Sequence, residues 1–246
     1  YQSAYLRTIL KGAAVPQTVG ATGDALTGTV TSVADAGTAD VFLVSTVDGL
    51  YAVDATDAGV TRTPVVSLDM TRQLCDVRFD SASGRRIATG AAAASAVTAA
   101  LTTGAALLAS EQVGLSGWCL DTTVEYLKTR YQFGRQVGSF QALKHRLADL
   151  WTQVTQARAV ARYAAACAAD AADQEAAIAA ALAQAYCAEV AVLAAEECMQ
   201  LHGGIGFTWE HPAHLYLKRA KSSAIALGTP DRHRAALAGM VNIPPA

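Results

Sequence analysis

Three stretches hold the residue types that could do chemistry. The first is Gln200-Leu-His-Gly-Gly-Ile-Gly-Phe-Thr-Trp-Glu-His-Pro212, followed 15 residues later by the second, Leu227-Gly-Thr229-Pro-Asp231. The third lies upstream, Arg130-Tyr-Gln-Phe-Gly134 with Ser139-Phe-Gln141 after it. An arginine beside an aromatic suits a pyrophosphate and a planar ring, because the guanidinium fork pairs bidentately with phosphate oxygens. The plainer reading of Arg130 is a solvated arginine complementing a helix C-terminus. Gly203, Gly204 and Gly206 let a ligand approach the backbone closely. Their plainer reading is a helix C-cap. They follow a helical pattern and not a strand, so the dinucleotide-fold reading of a Gly-Gly-x-Gly fails its own context. Thr229-Pro-Asp makes a helix start whose free N–H groups suit an anion.

Metal and disulfide chemistry find no pattern. The cysteines (75, 119, 167, 187 and 198) are odd in number and widely spaced without a Cys-x-x-Cys, as reduced thiols of a cytoplasmic protein are. His211 and His214 stand three apart with no carboxylate or cysteine cluster to complete a site. Of the 246 residues, 52% are apolar and 16% charged, with net charge −2, which gives no basic footprint for nucleic acid. The apolar surplus is largely alanine, pointing to close-packed helices and not to a membrane. The run 88–110 comes nearest to a spanning segment but is dominated by alanine, threonine and glycine.

The elements that must position these residues change character near Gly84. Before it, Val41–Val47 and Leu50–Val53 flank Asp48-Gly49, a hairpin signal, and Leu26–Val33 and Cys75–Phe79 alternate as half-buried strands do. Residues 1–12 read as the tail of a helix. From Arg85 the pattern is helical. Long segments are expected over about 88–129, 140–169 and 174–201, with shorter helices after Pro212 and Pro230. In the second, Leu143, Leu147, Leu150, Trp151 and Val154 share one face, and Trp118 and Trp151 read as core. The expected fold is α+β: a small β-sheet or barrel-like domain over 1–84, then a C-terminal four-helix bundle over 85–246.

Taken together, Arg130-x-Gln-Phe-Gly, Phe140-Gln141, Leu147-Ala-Asp149, the Gln200 motif and Leu227-Gly-Thr resemble the C-terminal half of an acyl-CoA dehydrogenase. The resemblance covers 85–246 closely and 1–84 loosely. It implies a flavin (FAD) site to which Arg130, Gln132, Phe133, Gln141, Gln200, Gly203, Gly204 and Thr229 contribute, partly on a neighbouring subunit. It also implies that the family's N-terminal helical domain is largely absent from this sequence.

One departure matters. The family's catalytic glutamate often precedes the Gly-Thr, where this chain has Leu227; some members place it on the long helix, in register with Gly104 here. Glu111, two turns further on, reads as a surface or capping carboxylate and not as a relocated base. The sequence therefore predicts no catalytic base and no catalytic residue in this chain. The composition and wording are similar to the non-catalytic subunit of actinobacterial heterotetrameric dehydrogenases of steroid catabolism. That resemblance implies an α2β2 assembly with a catalytic acyl-CoA dehydrogenase subunit, an acyl-CoA substrate and an electron-transfer flavoprotein as acceptor. Two alternatives stay open: a flavin-free structural or binding homologue, and a flavin enzyme running another reaction. Lys218, Arg219 and Lys221 read as a solvated face, or as a strip meeting a CoA phosphate or a partner subunit.

Overall fold

The computed structural model describes residues 18–170 and 173–241; the helical tail expected over 1–12 lies outside the described residues. The chain divides into two compact units, Tyr1–Leu101 and Thr102–Ala246.

The first unit holds a six-stranded antiparallel sheet: β1 (Val19–Thr22), β2 (Ala25–Ala34), β3 (Val41–Thr46), β4 (Gly49–Asp54), β5 (Val60–Val65) and β6 (Leu74–Ala88). The order is β1-β2-β6-β4-β3, with β5 also paired to β6. Strand β6 organises the sheet: its first half pairs with β2 and β5, and residues 84–88 pair with β4. The helical reading from Arg85 is therefore corrected, since the strand continues to Ala88. Gly84 lets Leu26 pack against the strand: a Cβ there would lie 2.1 Å from Leu26 Cδ1 and would displace that buried side chain. Leu26, Tyr51, Val53, Val77 and Phe79 form the core, with Phe42 edge-on to Phe79. The expected hairpin is present, but its two-residue loop is Val47–Asp48, one position earlier than Asp48-Gly49 suggests. Gly49 instead opens β4, where a Cβ would meet the Ala88 carbonyl oxygen at 2.3 Å.

Helix α1 (Gly90–Thr129) leads through a small hairpin, β7 (Tyr131–Gln132) and β8 (Arg135–Gln136), to α2 (Gln141–Ala169). Then come α3 (Ala176–His202), α4 (Ala213–Ile225) and α5 (Pro230–Met240). Each of α2 to α4 runs antiparallel to the helix before it, giving the expected bundle, and α5 packs on α3. Alanine supplies most of the buried positions of α3, so its neighbours approach closely. Helix α1 joins through Ala105, Ala109, Leu115 and Cys119, and Gln112 Nε2 donates to the Ser223 carbonyl of α4 at 3.3 Å. Leu150 and Val154 of α2 are buried as expected, but Trp151 is 60% exposed and Trp118 only half-buried. At 100° per residue Trp151 lies one step off the Leu150–Val154 line, which carries it to the rim. The segments Gly90–Thr129 and Ala176–Phe207 are long and apolar enough to cross a membrane by length and composition alone; α3 spends that character in the bundle core.

Candidate functional site

At the α1–α2 connection the backbone closes a tight hairpin. Arg130 N donates to the Tyr126 carbonyl at 2.9 Å, and Val137 N to the Arg130 carbonyl at 2.8 Å. Phe133 (φ 53°) and Gly134 (φ 76°) are consecutive left-handed residues, the requirement of a two-residue primed turn. Glycine adopts this freely, whereas phenylalanine in this region costs about 1–2 kcal/mol. The strained ring is 91% exposed, held only edge-on against Phe140 at 6.2 Å, while the Arg135 guanidinium covers the Phe140 ring at 3.8 Å. The Arg130 side chain has no ion-pair partner among the described residues. Gln132 Nε2 donates to the Tyr131 carbonyl at 2.8 Å, and Gln141 Nε2 lies 3.0 Å from His145 Nε2.

Helix α3 ends in the glycine motif. Gly203 (φ 62°) donates its N–H to the Gln200 carbonyl, so the C-cap reading holds for it. A Cβ at Gly203 or Gly204 would meet nothing within 4 Å, which leaves their backbone open on the surface beside the exposed Gln200. Gly206 is different: a Cβ would strike the Met199 carbonyl at 2.4 Å, so packing alone requires it. His202 is buried in an aromatic stack, with ring centroids 4.4 Å from Tyr126 and 4.2 Å from His211. Trp118 stacks on Tyr216 at 3.6 Å beside it. Burial pushes the His202 imidazole down, but its contacts with the Cys198 thiol and carbonyl outweigh this and raise it. The Cys119–Cys198 thiol hydrogen bond draws Cys198 down and holds Cys119 up. Tyr126 lies 76 positions from His202 in the sequence, so no local signal announces the stack.

The third stretch forms a strap between α4 and α5. Thr229 caps α5, its Oγ1 accepting from Arg232 N at 3.4 Å. Before it, Leu227 (φ 57°) is left-handed and Gly228 follows at φ 117°. Two side chains clamp this turn: Gln184 Nε2 donates to the Ala226 carbonyl at 3.3 Å, and His233 Nε2 to the Leu227 carbonyl at 3.1 Å. Burial lowers the His233 pKa, so the neutral ring is favoured. The clamped Leu227 side chain faces α1, its Cδ1 3.0 Å from where a Cβ of Gly104 would be. The two positions at which a base was sought thus face each other, one empty and the other hydrocarbon. Glu111 is held elsewhere, in a bidentate pair with Arg219 at 2.7 and 3.0 Å, with the Ser223 hydroxyl at 3.4 Å. Arg219 therefore ties α4 to α1 and is not part of a free basic strip. Lys221 pairs with Glu196 at 2.8 Å, and Lys218 covers the exposed Trp209 ring at 4.5 Å. Among the described residues no cluster of histidines, cysteines and carboxylates could hold a metal.

The eight expected site residues fall into two groups. Tyr126 against His202 and Arg146 against Glu197 put the hairpin and the glycine motif at the same end of the bundle. Arg130, Gln132, Phe133, Gln141, Gln200, Gly203 and Gly204 therefore share that end. Thr229 stands at the other, beside Gly104. At 1.5 Å per residue, the 25 residues of α1 between Gly104 and Thr129 span about 38 Å.

Residues 93–241 match the family model described as acyl-CoA dehydrogenase, C-terminal domain. The chain is 44% identical over 170 residues to acyl-CoA dehydrogenase IpdE2 of Mycolicibacterium smegmatis, an alignment covering 69% of this chain and 50% of that protein. The fold is similar to a chain of the ChsE4-ChsE5 complex from Mycobacterium tuberculosis (TM-score 0.80, 30% identity, 94% of this chain and 64% of that one). It is also similar to the Tcur3481-Tcur3483 steroid ACAD G363A variant (TM-score 0.80, 29% identity, 93% and 63%). The chain spans about half the length of IpdE2. With the strand-then-bundle order and the matched bundle both in place, the chain belongs to the acyl-CoA dehydrogenase family.

Proposed function

We propose that this chain is the base-less subunit of a hetero-oligomeric, FAD-dependent acyl-CoA dehydrogenase, with the catalytic glutamate on a partner subunit. The observation that carries the reading is the contact of Leu227 with Gly104, both candidate base positions being filled by apolar packing while Glu111 is committed to Arg219. A general base is worth roughly 10²–10⁴ in rate, and a hydrocarbon cannot supply it. The likeness to a chain of the ChsE4-ChsE5 complex supports a paired assembly, and the steroid ACAD likeness supports a polycyclic acyl-CoA as substrate.

The residues at the hairpin end fit an ADP-like group. They offer an unpaired guanidinium, carboxamides, an exposed ring and glycine backbone with no obstruction above it. Arg130 would pair with phosphate oxygens, Gly203 and Gly204 would admit the ligand to the backbone, and Phe133 would cover a planar ring. The flavin, when bound, supplies the hydride-accepting chemistry of the α,β-dehydrogenation. Thr229 lies about 38 Å away along the bundle. A single flavin therefore meets only one of the two groups on a given copy, and a neighbouring chain must complete each site. An electron-transfer flavoprotein is the proposed acceptor.

Native mass spectrometry of the chain, purified alone and with its co-encoded dehydrogenase-like partner, tests this. The expected result is a mixed tetramer holding fewer than four FAD, with no flavin on the lone chain. A flavin-loaded homo-oligomer would overturn the division of labour, and a flavin-free mixed complex would favour the structural homologue.

A further inference from the structure

The alanine-rich interior of the second unit holds two long polar side chains, Gln112 of α1 and Gln184 of α3, both wholly buried. A carboxamide has two ends to satisfy, an NH₂ that donates and an oxygen that accepts. The nitrogens are satisfied. Gln112 Nε2 donates to the Ser223 carbonyl of α4 at 3.3 Å. Gln184 Nε2 donates to the same carbonyl at 3.2 Å and to the Ala226 carbonyl at 3.3 Å. The oxygens are not: Gln112 Oε1 and Gln184 Oε1 are buried and meet no donor among the described residues. Turning either amide over would set its oxygen against the Ser223 carbonyl oxygen, acceptor against acceptor. Neighbouring donors are committed elsewhere. The Ser223 hydroxyl and Arg219 donate to Glu111, the Ser116 hydroxyl to the Gln112 carbonyl at 2.7 Å, and Ala226 N to the Ser222 carbonyl at 3.2 Å.

A buried acceptor without a donor forfeits the hydrogen bonds it made in solvent, and proteins meet that demand with an internal water where no side chain can. The adjoining carboxylate, Glu111, is already neutralised by Arg219, so the place suits a neutral donor and not a cation. Water also carries two hydrogens for two oxygens, and the two amides are neighbours because both nitrogens sit on one carbonyl. We propose that a single internal water bridges Gln112 Oε1 and Gln184 Oε1, donating one hydrogen to each. It joins α1 to α3 where the Ser223 carbonyl already joins both to α4. With its oxygen engaged, the Gln184 amide keeps its nitrogen on Ser223 and Ala226, and Ala226 opens the strap that carries Leu227. The bound water is thus a positioning element for that strap. It depends on the bundle interior alone and does not rest on the flavin reading.

High-resolution crystallography of the full chain, with its dehydrogenase-like partner where the two purify together, reads the site directly. The expected result is one water within about 2.5–3.0 Å of both oxygens. Oxygen-17 relaxation dispersion of the solvent counts long-lived internal waters in the same preparation. Gln112→Met keeps the length of the side chain, removes its polar atoms and leaves the Gln184 bonds in place. It should lower the count by about one molecule with unchanged far-UV circular dichroism. The wild-type crystal decides the question even where that variant does not fold. An empty site, a separate water on each oxygen, a metal ion, or amides turned onto protein donors each overturn the proposal. So does an unchanged count in folded Gln112→Met.

Discussion

The Gly104–Leu227 contact can be weighed by a double-mutant cycle. Gly104→Ala lies within the 40-residue α1, where alanine should stabilise by about 0.8–1.0 kcal/mol through helix propensity alone. Its Cβ, however, would stand 3.0 Å from Leu227 Cδ1, against a comfortable carbon separation of roughly 3.5–4.0 Å. The strap is clamped at Ala226 and Leu227, so the leucine must rotate off its rotamer, at about 0.5–1.5 kcal/mol. The two effects nearly cancel, and Gly104→Ala should leave stability almost unchanged. In a Leu227→Ala background the obstruction is gone, and the same change should show its full stabilisation of about 1 kcal/mol. Urea unfolding of the four proteins measures the difference, a coupling of about 0.5–1 kcal/mol. If Gly104→Ala alone gives the full gain, or the effects add to within roughly 0.3 kcal/mol, Leu227 is not seated over Gly104 and the account of the missing base is wrong.

Other perturbations read other parts of the molecule. Phe133→Gly should stabilise the chain by about 1 kcal/mol by removing the left-handed phenylalanine, yet lower flavin content in the mixed complex, measured by absorbance against protein mass. Thr229→Ala should cost about 0.5–1 kcal/mol in urea unfolding, because the cap is a single long hydrogen bond. Burial, with Arg232 nearby, depresses the His233 pKa against the pull of the Leu227 carbonyl. Its contribution is therefore fully present above the ordinary histidine pKa of about 6.5 and is lost as pH falls below it, by at most about 1.4 kcal/mol per pH unit. His233→Gln should flatten that part of the stability profile between pH 7 and 5, and an unchanged slope would refute the assignment. Leu227→Glu on the isolated chain should yield no dehydrogenase turnover; robust activity would place the whole reaction on this subunit.

Much of the framework was legible because its signals are local. The three- and four-residue spacing of apolar positions announced the long helices, and Thr229-Pro-Asp announced the start of α5. The β-type alternation announced β2 and the first half of β6. Its continuation to Ala88 was hidden because Gly84-Arg-Arg breaks the alternation; only the approach of Leu26 from another strand explains that glycine. Trp151 was misplaced for a related reason, since a helix face blurs at its edges and a large apolar side chain on the rim looks the same in sequence as one inside. The site residues could be picked out by type, but not their division between two ends of a bundle. That depends on the antiparallel return of each helix. The meeting of Gly104 with Leu227, 123 positions apart, leaves no trace in either neighbourhood.

The alanine core of α3 gives this bundle an unusual direction of fragility. A core of leucines is damaged chiefly by truncation, which leaves holes. Here Ala183, Ala188, Ala191, Ala194 and Ala195 are already as small as a helix-forming side chain can be, and each is wholly buried. Damage must arrive as added volume, and overpacking by even a few methylenes costs about 1–3 kcal/mol at each site. Sequence drift in such a helix is confined to its outer face. Divergence between copies of this fold should therefore accumulate at the ends and along the open flank, where binding partners are chosen, while the interior stays almost fixed in composition.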